Sequence, residues 1–327
     1  MKRIFSLIIL LFSLNFVFAK DLSIMSFNIQ GHGPGSSEHR MGKTEWENQI
    51  VQIINSSGAH IVLLQEIPLY DVPNNLAKVF AEKLNKGSGS WDYITSVPYS
   101  ISSMDLNNAV LYNKKYVNLM GDYAKKSPFN MYAYKENPTE DNRKYKFIKN
   151  NEQILEFTYN ENPSSSFMIV NVHLPGPDEN EKRFEERRQL ELLYALHKRK
   201  MPVIIAGDFN ISRKDLIRGS NFSDAIIDGS QERYADVWGQ KTTVSSSDMV
   251  NFTLINDFDH FIISKNDIFT VNEQMHLVFS KDKKEKFENL KIGKYTYTNA
   301  YTYWRGQAGI PGISDHLPIM IKLKFYK

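Results

Sequence analysis

The chain of 327 residues contains no cysteine, which excludes disulfides, thiol nucleophiles and thiolate metal sites together. Its fold must therefore be held by buried apolar surface, and its length is sufficient for such a core. Charge bias is also missing, with 40 Lys and Arg against 37 Asp and Glu. Long apolar runs are missing too, apart from Ile4–Phe12 near the amino terminus. That run follows Lys2–Arg3 and precedes Val17–Phe18–Ala19, the pattern of a secretory signal peptide cleaved after Ala19. It is too short for a comfortable membrane span. Residues 1–19 are thus expected to be removed, leaving a secreted or periplasmic chain of 38 basic and 37 acidic residues. That balance neither requires nor excludes a nucleic-acid partner. Residues 20–327 show no linker, repeat or low-complexity block, so one domain is the simplest organisation.

What the chain does have is a set of strand-like runs that end in polar side chains. Met201–Ile205 is β-branched and apolar, and it runs into Ala206–Gly207–Asp208–Phe209–Asn210. Leu22–Phe27 alternates and ends in Asn28, Ile61–Leu64 ends in Gln65–Glu66, and Phe167–Val172 ends in His173. Phe258–Ile263 carries Asp259 at its start, and Ser314–Asp315–His316 precedes a last alternating strand, Pro318–Lys324. Trp91–Val97, Ala109–Tyr112 and Met275–Phe279 read as further strands, and Gln153–Tyr159 reads as the hairpin partner of Phe167–Val172.

Between them, Thr44–Glu47 fits a capping box opening a helix with Trp46, Ile50, Ile53 and Ile54 on one face and Gly58 at its end. Leu76, Val79, Phe80 and Leu84 mark a second helix. Glu181–Lys200 is a third, with a partial stripe of Phe184, Leu190, Leu193, Tyr194 and His197 and a charged run, Lys182–Arg188, expected to face water. A short helix is expected near Lys214–Arg218, while residues 122–150 lack periodicity. Singly, each polar strand end has a plain reading: a turn amide, an exposed edge acid, a loop histidine. Their recurrence points to one end of a sheet structure where chemistry sits.

In chain order, SFNIQG, LLQE, NVH, GDFN, FDHFIIS and SDHLP resemble the endonuclease/exonuclease/phosphatase superfamily, which includes deoxyribonuclease I. The resemblance covers residues 22–321 and implies a four-layer α/β/β/α sandwich, two packed mixed β-sheets flanked by helices. SFNIQG, Lys43–Trp46 and VLLQE look most like deoxyribonuclease I and the cytolethal distending toxin catalytic subunit. The implied activity is a secreted, divalent-metal-dependent phosphodiesterase, with DNA as the favoured substrate. Whether a toxin-like partner subunit exists stays open.

Phosphate-ester hydrolysis needs charge relief on the phosphoryl oxygens, an activated water and a proton for the leaving oxygen. Glu66, with Asn28 and Asp315, offers hard oxygen ligands suited to Mg²⁺ or Mn²⁺. Asp208 is the candidate to orient or deprotonate water, Asn210 to donate to a phosphoryl oxygen, and His173 and His316 to donate or shuttle protons. By resemblance, His316 pairs with Asp259, whereas His260 is read as structural. The glutamate with which deoxyribonuclease I supports its first histidine has no match beyond Asp105. The abasic-site nucleases usually carry a tyrosine where His173 stands, which disfavours that subgroup.

Arg40, Lys43, Arg143 or Arg305 would supply parts of a basic groove. Against DNA stands a phospholipid or inositol-phosphate substrate, as in a sphingomyelinase or phosphoinositide phosphatase. Lys294–Tyr297 and Tyr301, Tyr303 and Trp304 favour it, because aromatics suit a membrane interface. Trp304 and Arg305 are the candidate substrate contacts. A non-catalytic binding protein on the same fold is the third possibility.

Overall fold

A computed structural model describes residues 21–30, 41–68, 75–87, 89–96, 106–122, 153–218, 220, 222, 243–244, 254–256, 258–276, 290–292, 294–297, 306–307, 310–314 and 316–326. The expected signal peptide, most of 122–150, and Arg40, Asp105, Arg143, Tyr301, Tyr303, Trp304, Arg305 and Asp315 lie outside the described residues. No helix among the described residues is long and apolar enough to cross a membrane.

Eleven strands build two mixed sheets. They are β1 (Leu22–Asn28), β2 (Ile61–Pro68), β3 (Trp91–Thr95), β4 (Leu106–Asn113), β5 (Val117–Asp122), β6 (Gln153–Tyr159), β7 (Asn162–His173), β8 (Val203–Asp208), β9 (Asp259–Ile263), β10 (Phe269–His276) and β11 (Ile319–Phe325). The first sheet has six strands in the order β10-β11-β1-β2-β4-β3, and the second has five in the order β9-β8-β7-β6-β5. Only β1–β2 and β7–β8 pair in parallel within these sheets. A parallel pair needs a crossover, and a helix supplies it in both cases. These are α1 (Lys43–Ser57) after β1 and α3 (Asn180–His197) after β7. α2 (Leu76–Asn85) follows β2, and α4 (Arg213–Ile217) is a short turn of helix after β8.

The near-continuous apolar runs arise because both faces of each sheet are covered. In β1, Leu22 and Ile24 point between the sheets, where they meet Phe157, Phe167 and Ile204. Met25 and Phe27 point outward to Trp46 and Ile50 of α1 and Phe80 of α2. In β8, Ile204 faces inward while Val203 and Ile205 face Leu190, Leu193 and Tyr194 of α3. Alternation of period two in each strand thus feeds three stacked apolar layers.

Two local expectations are corrected. The capping box on α1 does not form: Gly42 (φ 96°) precedes the helix without a side-chain cap. Glu47 instead turns toward α2, where its carboxylate lies 2.8 Å from Lys83 Nζ with only 6% of its side chain exposed. A buried carboxylate needs its countercharge more than an exposed amide needs a cap. Gly58 does close α1 in the left-handed conformation, at φ 70°. The charged run on α3 is a solvated face only in part: Lys182 and Arg188 stay exposed, but Glu186 turns inward. Glu186, Gln189 and Glu191 are buried, Arg187 Nε lies 3.1 Å from Glu191, and burial pushes the Glu186 carboxyl up to about 7. Arg187 also donates to the Asp215 carbonyl of α4, at 3.0 Å. Leu216 of α4 joins the apolar layer of Leu190 and Leu193, which covers this flank of α3.

β10 begins at Phe269, six residues before the expected strand at Met275. Thr243–Val244 pairs with Leu254–Asn256, Leu290–Ile292 with Tyr295–Tyr297, and Gly306–Gln307 with Ile310–Pro311, as three small ladders.

Gly207 fixes the spacing of the parallel pair next to the polar strand ends. It lies opposite Val172 with φ 148°, and a Cβ there would sit 1.9 Å from the Val172 carbonyl oxygen. Gly207→Ala should therefore cost more than about 3 kcal/mol, read as a shift in the urea unfolding midpoint. An unshifted midpoint would contradict this close approach.

Candidate active site

Register delivers the polar ends to one edge. β7 and β8 run parallel with His173 beside Asp208, and antiparallel β9 starts with Asp259 beside Asp208. In the other sheet Asn28 lies beside Gln65, and the next residue, Glu66, sits in a bulge where the β2–β4 register shifts between Leu64 and Ile67. Ser314 brings in the last member: its hydroxyl donates to the Asn28 carbonyl (2.8 Å) and accepts from the His316 amide (3.1 Å). Trp46 steadies the same segment by donating to the Ile313 carbonyl at 3.0 Å.

Asp208 is the centre of the cluster and is 1% exposed. Its Oδ2 accepts from Asn28 Nδ2 at 3.0 Å and lies 3.6 Å from His316 Nε2 and 3.8 Å from His173 Nε2. Its Oδ1 accepts from the Asn210 amide at 2.8 Å. Asn28 Nδ2 also donates to Glu66 Oε1, at 2.9 Å, and His173 Nε2 stands 3.7 Å from that same oxygen. Asp259 Oδ2 is 2.8 Å from His316 Nδ1, and both residues are buried. This contact puts the proton of a neutral His316 on Nδ1 and turns Nε2 toward Asp208.

Asn28 has a further part beside its expected one as an oxygen ligand. Its amide nitrogen separates two carboxylates, while its oxygen accepts from the Gln30 amide at 3.0 Å. Asn210 spends one amide hydrogen on the Leu174 carbonyl, at 2.9 Å. His260 is buried with Nε2 2.8 Å from the Ile211 carbonyl, so it serves packing as expected. Lys43 stands at the start of α1.

Among the described residues, the non-glycine positions with positive φ are Gln30 (47°), Glu66 (56°) and Asn210 (49°). All three lie at these strand ends, where each left-handed residue costs on the order of 1 kcal/mol. The surrounding sheets impose that cost, and the gain is the direction in which Glu66 and Asn210 point.

Among the described residues, two groups could hold a metal ion: Glu66, His173 and Asp208, and Asp208, Asp259 and His316, each with ligand atoms within 4.8 Å of one another. Carboxylate oxygens and imidazoles, with 20% of the Glu66 side chain open to solvent, suit a hard divalent cation that keeps some of its water. Sequence reasoning missed the spacer role of the Asn28 amide, the Ser314 tie, and a buried amide network formed by Gln65, Gln153 and Asn171. The last had a visible signal: an amide directly beside an apolar run in each of three strands, Gln65 after Ile61–Leu64, Gln153 before Ile154–Leu155 and Asn171 after Phe167–Val170.

Burial pushes the Asp208 carboxyl up from 3.8 to about 6, and the Asp259 charge adds to this, while His316, His173 and the Asn210 amide pull it down. The metal-free folded state therefore holds a proton that the unfolded chain releases, and the stability of the wild type falls relative to a variant without this charge as pH rises from about 4 to about 6. The gap between Asp208→Asn and wild type should widen in favour of the variant across that window, on the order of 3 kcal/mol, in urea titrations with chelator present. A pH-independent gap would contradict the raised value.

The structure is similar over 94% of its length to 98% of an endonuclease/exonuclease/phosphatase family protein from Bacteroides thetaiotaomicron (TM-score 0.61, 18% identity). It is similar over 92% to 99% of the mannosyl-6-phosphatase Bt3783 of the same organism (TM-score 0.57, 16% identity). It is also similar over 93% to 99% of D. rerio TDP2 complexed with single-strand DNA product (TM-score 0.53, 14% identity). No curated protein matches by sequence. At such identities the structures share the fold, the two-sheet sandwich expected from the motifs. The family model extends from residue 25 to residue 316, from the middle of β1 to the histidine beside Asp259, and on that match the chain belongs to the endonuclease/exonuclease/phosphatase family.

Proposed function

We propose that this phosphate-ester hydrolase is a divalent-metal-dependent phosphodiesterase whose favoured substrate is DNA. The observation that carries the reading is the single Asp208 oxygen set between two imidazoles and an amide, beside the accessible Glu66 carboxylate. Glu66 would hold the ion, and Mg²⁺ or Mn²⁺ would supply charge relief on the phosphoryl group. Asp208, with its raised proton affinity, accepts a proton from the attacking water near neutral pH. His316, stabilised as a cation by Asp259, donates from Nε2 to the developing charge. His173 approaches from the other side, and Asn210 retains an amide hydrogen for a phosphoryl oxygen. The Asn28 amide keeps Glu66 and Asp208 from repelling one another before the ion arrives.

DNA is supported by the SFNIQG and VLLQE wording and by a histidine at position 173. A fold relative that carries a DNA product adds to this. The phosphosugar enzyme among the fold relatives and the aromatic segment 294–304 make monoesters and lipid headgroups the informative controls. We also propose export, with cleavage near Ala19, which amino-terminal sequencing of the secreted protein would test.

Purified mature protein with Mg²⁺ or Mn²⁺ should nick supercoiled plasmid, and chelation should stop it. His173→Ala should lower the rate by about 100-fold or more, and Glu66→Ala should do so with little change in thermal stability. Release of phosphocholine from sphingomyelin liposomes, or of phosphate from inositol phosphates, with plasmid intact would move the substrate to those classes. Inactivity on all of them would leave a binding protein.

A further inference from the structure

Between the apolar inter-sheet layer and the acidic cluster lies a stratum of buried amides that no step above uses. Gln65, Gln153 and Asn171 are each at most 1% exposed. Asn171 lies two residues before His173 and, by strand alternation, on the same face of β7, which looks across to the other sheet. Its Nδ2 donates to the Leu64 carbonyl at 3.1 Å and to the Ala109 carbonyl at 3.0 Å, with Gln153 Oε1 at 3.1 Å. Leu64 and Ala109 are the registered pair that borders the bulge carrying Glu66. The amide of one sheet therefore stands where the ladder of the other is interrupted. Gln65, the residue before Glu66, completes the arrangement by donating from Nε2 to Asn171 Oδ1 at 2.7 Å, and its carbonyl accepts from the Ile29 amide at 3.2 Å, next to Asn28.

We infer that Asn171 is a positioning residue: its carboxamide splices the interrupted β2–β4 ladder, and with Gln65 it holds the left-handed turn that aims Glu66 at the cluster. A bulge with orphaned carbonyls in a dry layer would shift register to recover its bonds, and a one-residue shift would send the Glu66 side chain to the opposite face. Asn171 would thus govern the cation site without touching a cation, while it also sets the backbone two residues before His173. The inference rests on the metal-dependent reading of the site.

The test is Mn²⁺ binding to substrate-free protein, measured by calorimetry on wild type, Asn171→Leu, Gln65→Met and Ile169→Ala. Ile169 lies two residues further back on the same inward face of β7 and belongs to the apolar layer, so its truncation loosens packing without touching the splice. Both amide variants should weaken Mn²⁺ at least 10-fold, and Ile169→Ala should keep wild-type affinity despite its lower melting temperature. Folded Asn171→Leu with unchanged affinity, or an equal weakening in Ile169→Ala, would overturn the inference. Should Asn171→Leu fail to fold, Gln65→Met decides by the same criterion. A wild type that binds no Mn²⁺ would instead sink the metal-dependent reading, and this inference with it.

Discussion

A carboxylate closed off from water with two more acidic side chains nearby is the constraint on which the rest of the site depends. Asp208 is 1% exposed, and burial together with Asp259 raises its affinity for a proton. Its neighbours answer that problem. The Asn28 amide binds Asp208 and Glu66 at once, and the two imidazoles approach the same oxygen from either side. Such a centre is costly to the free protein and chemically useful for the same reason: it is short of positive charge, which a divalent ion and a transferring phosphoryl group's partners can use.

The two-sheet architecture is what lets six distant positions share this centre. Each parallel pair, β1–β2 and β7–β8, sends its carboxyl ends to one edge because a helix carries the chain back before the next strand begins. Antiparallel β9 then enters from that edge, so its first residue, Asp259, falls beside Asp208. The positive φ values at Gln30, Glu66 and Asn210 show where the regular strand geometry is given up to turn side chains inward. Gly207, with no room for a Cβ against Val172, keeps β7 and β8 close at the level where the histidine and aspartate meet.

Much of this was legible in the chain. Near-continuous apolar runs marked strands buried on both faces, and polar residues at their ends marked the edge where they emerge. The parts that were not legible all depend on a partner far away in sequence. Glu47 reads as half of a capping box until Lys83 is brought to 2.8 Å from it. Lys182–Arg188 reads as one solvated face, but Arg187 reaches across to the Asp215 carbonyl of α4. Asn28 reads as an oxygen ligand, and that its nitrogen also bridges two carboxylates shows only once β2 and β8 bring Glu66 and Asp208 to it.

Local pattern in the chain was enough to establish most of the strands, the main helices, the family and the identity of the acids, amides and histidines at the strand ends, because those properties follow from residue type and spacing. Which atom of each side chain faces which neighbour was decided only by the packed sheets. An amide has a donor and an acceptor end, and a carboxylate takes its proton affinity from burial and nearby charge; both are properties of the surroundings that tertiary contact creates.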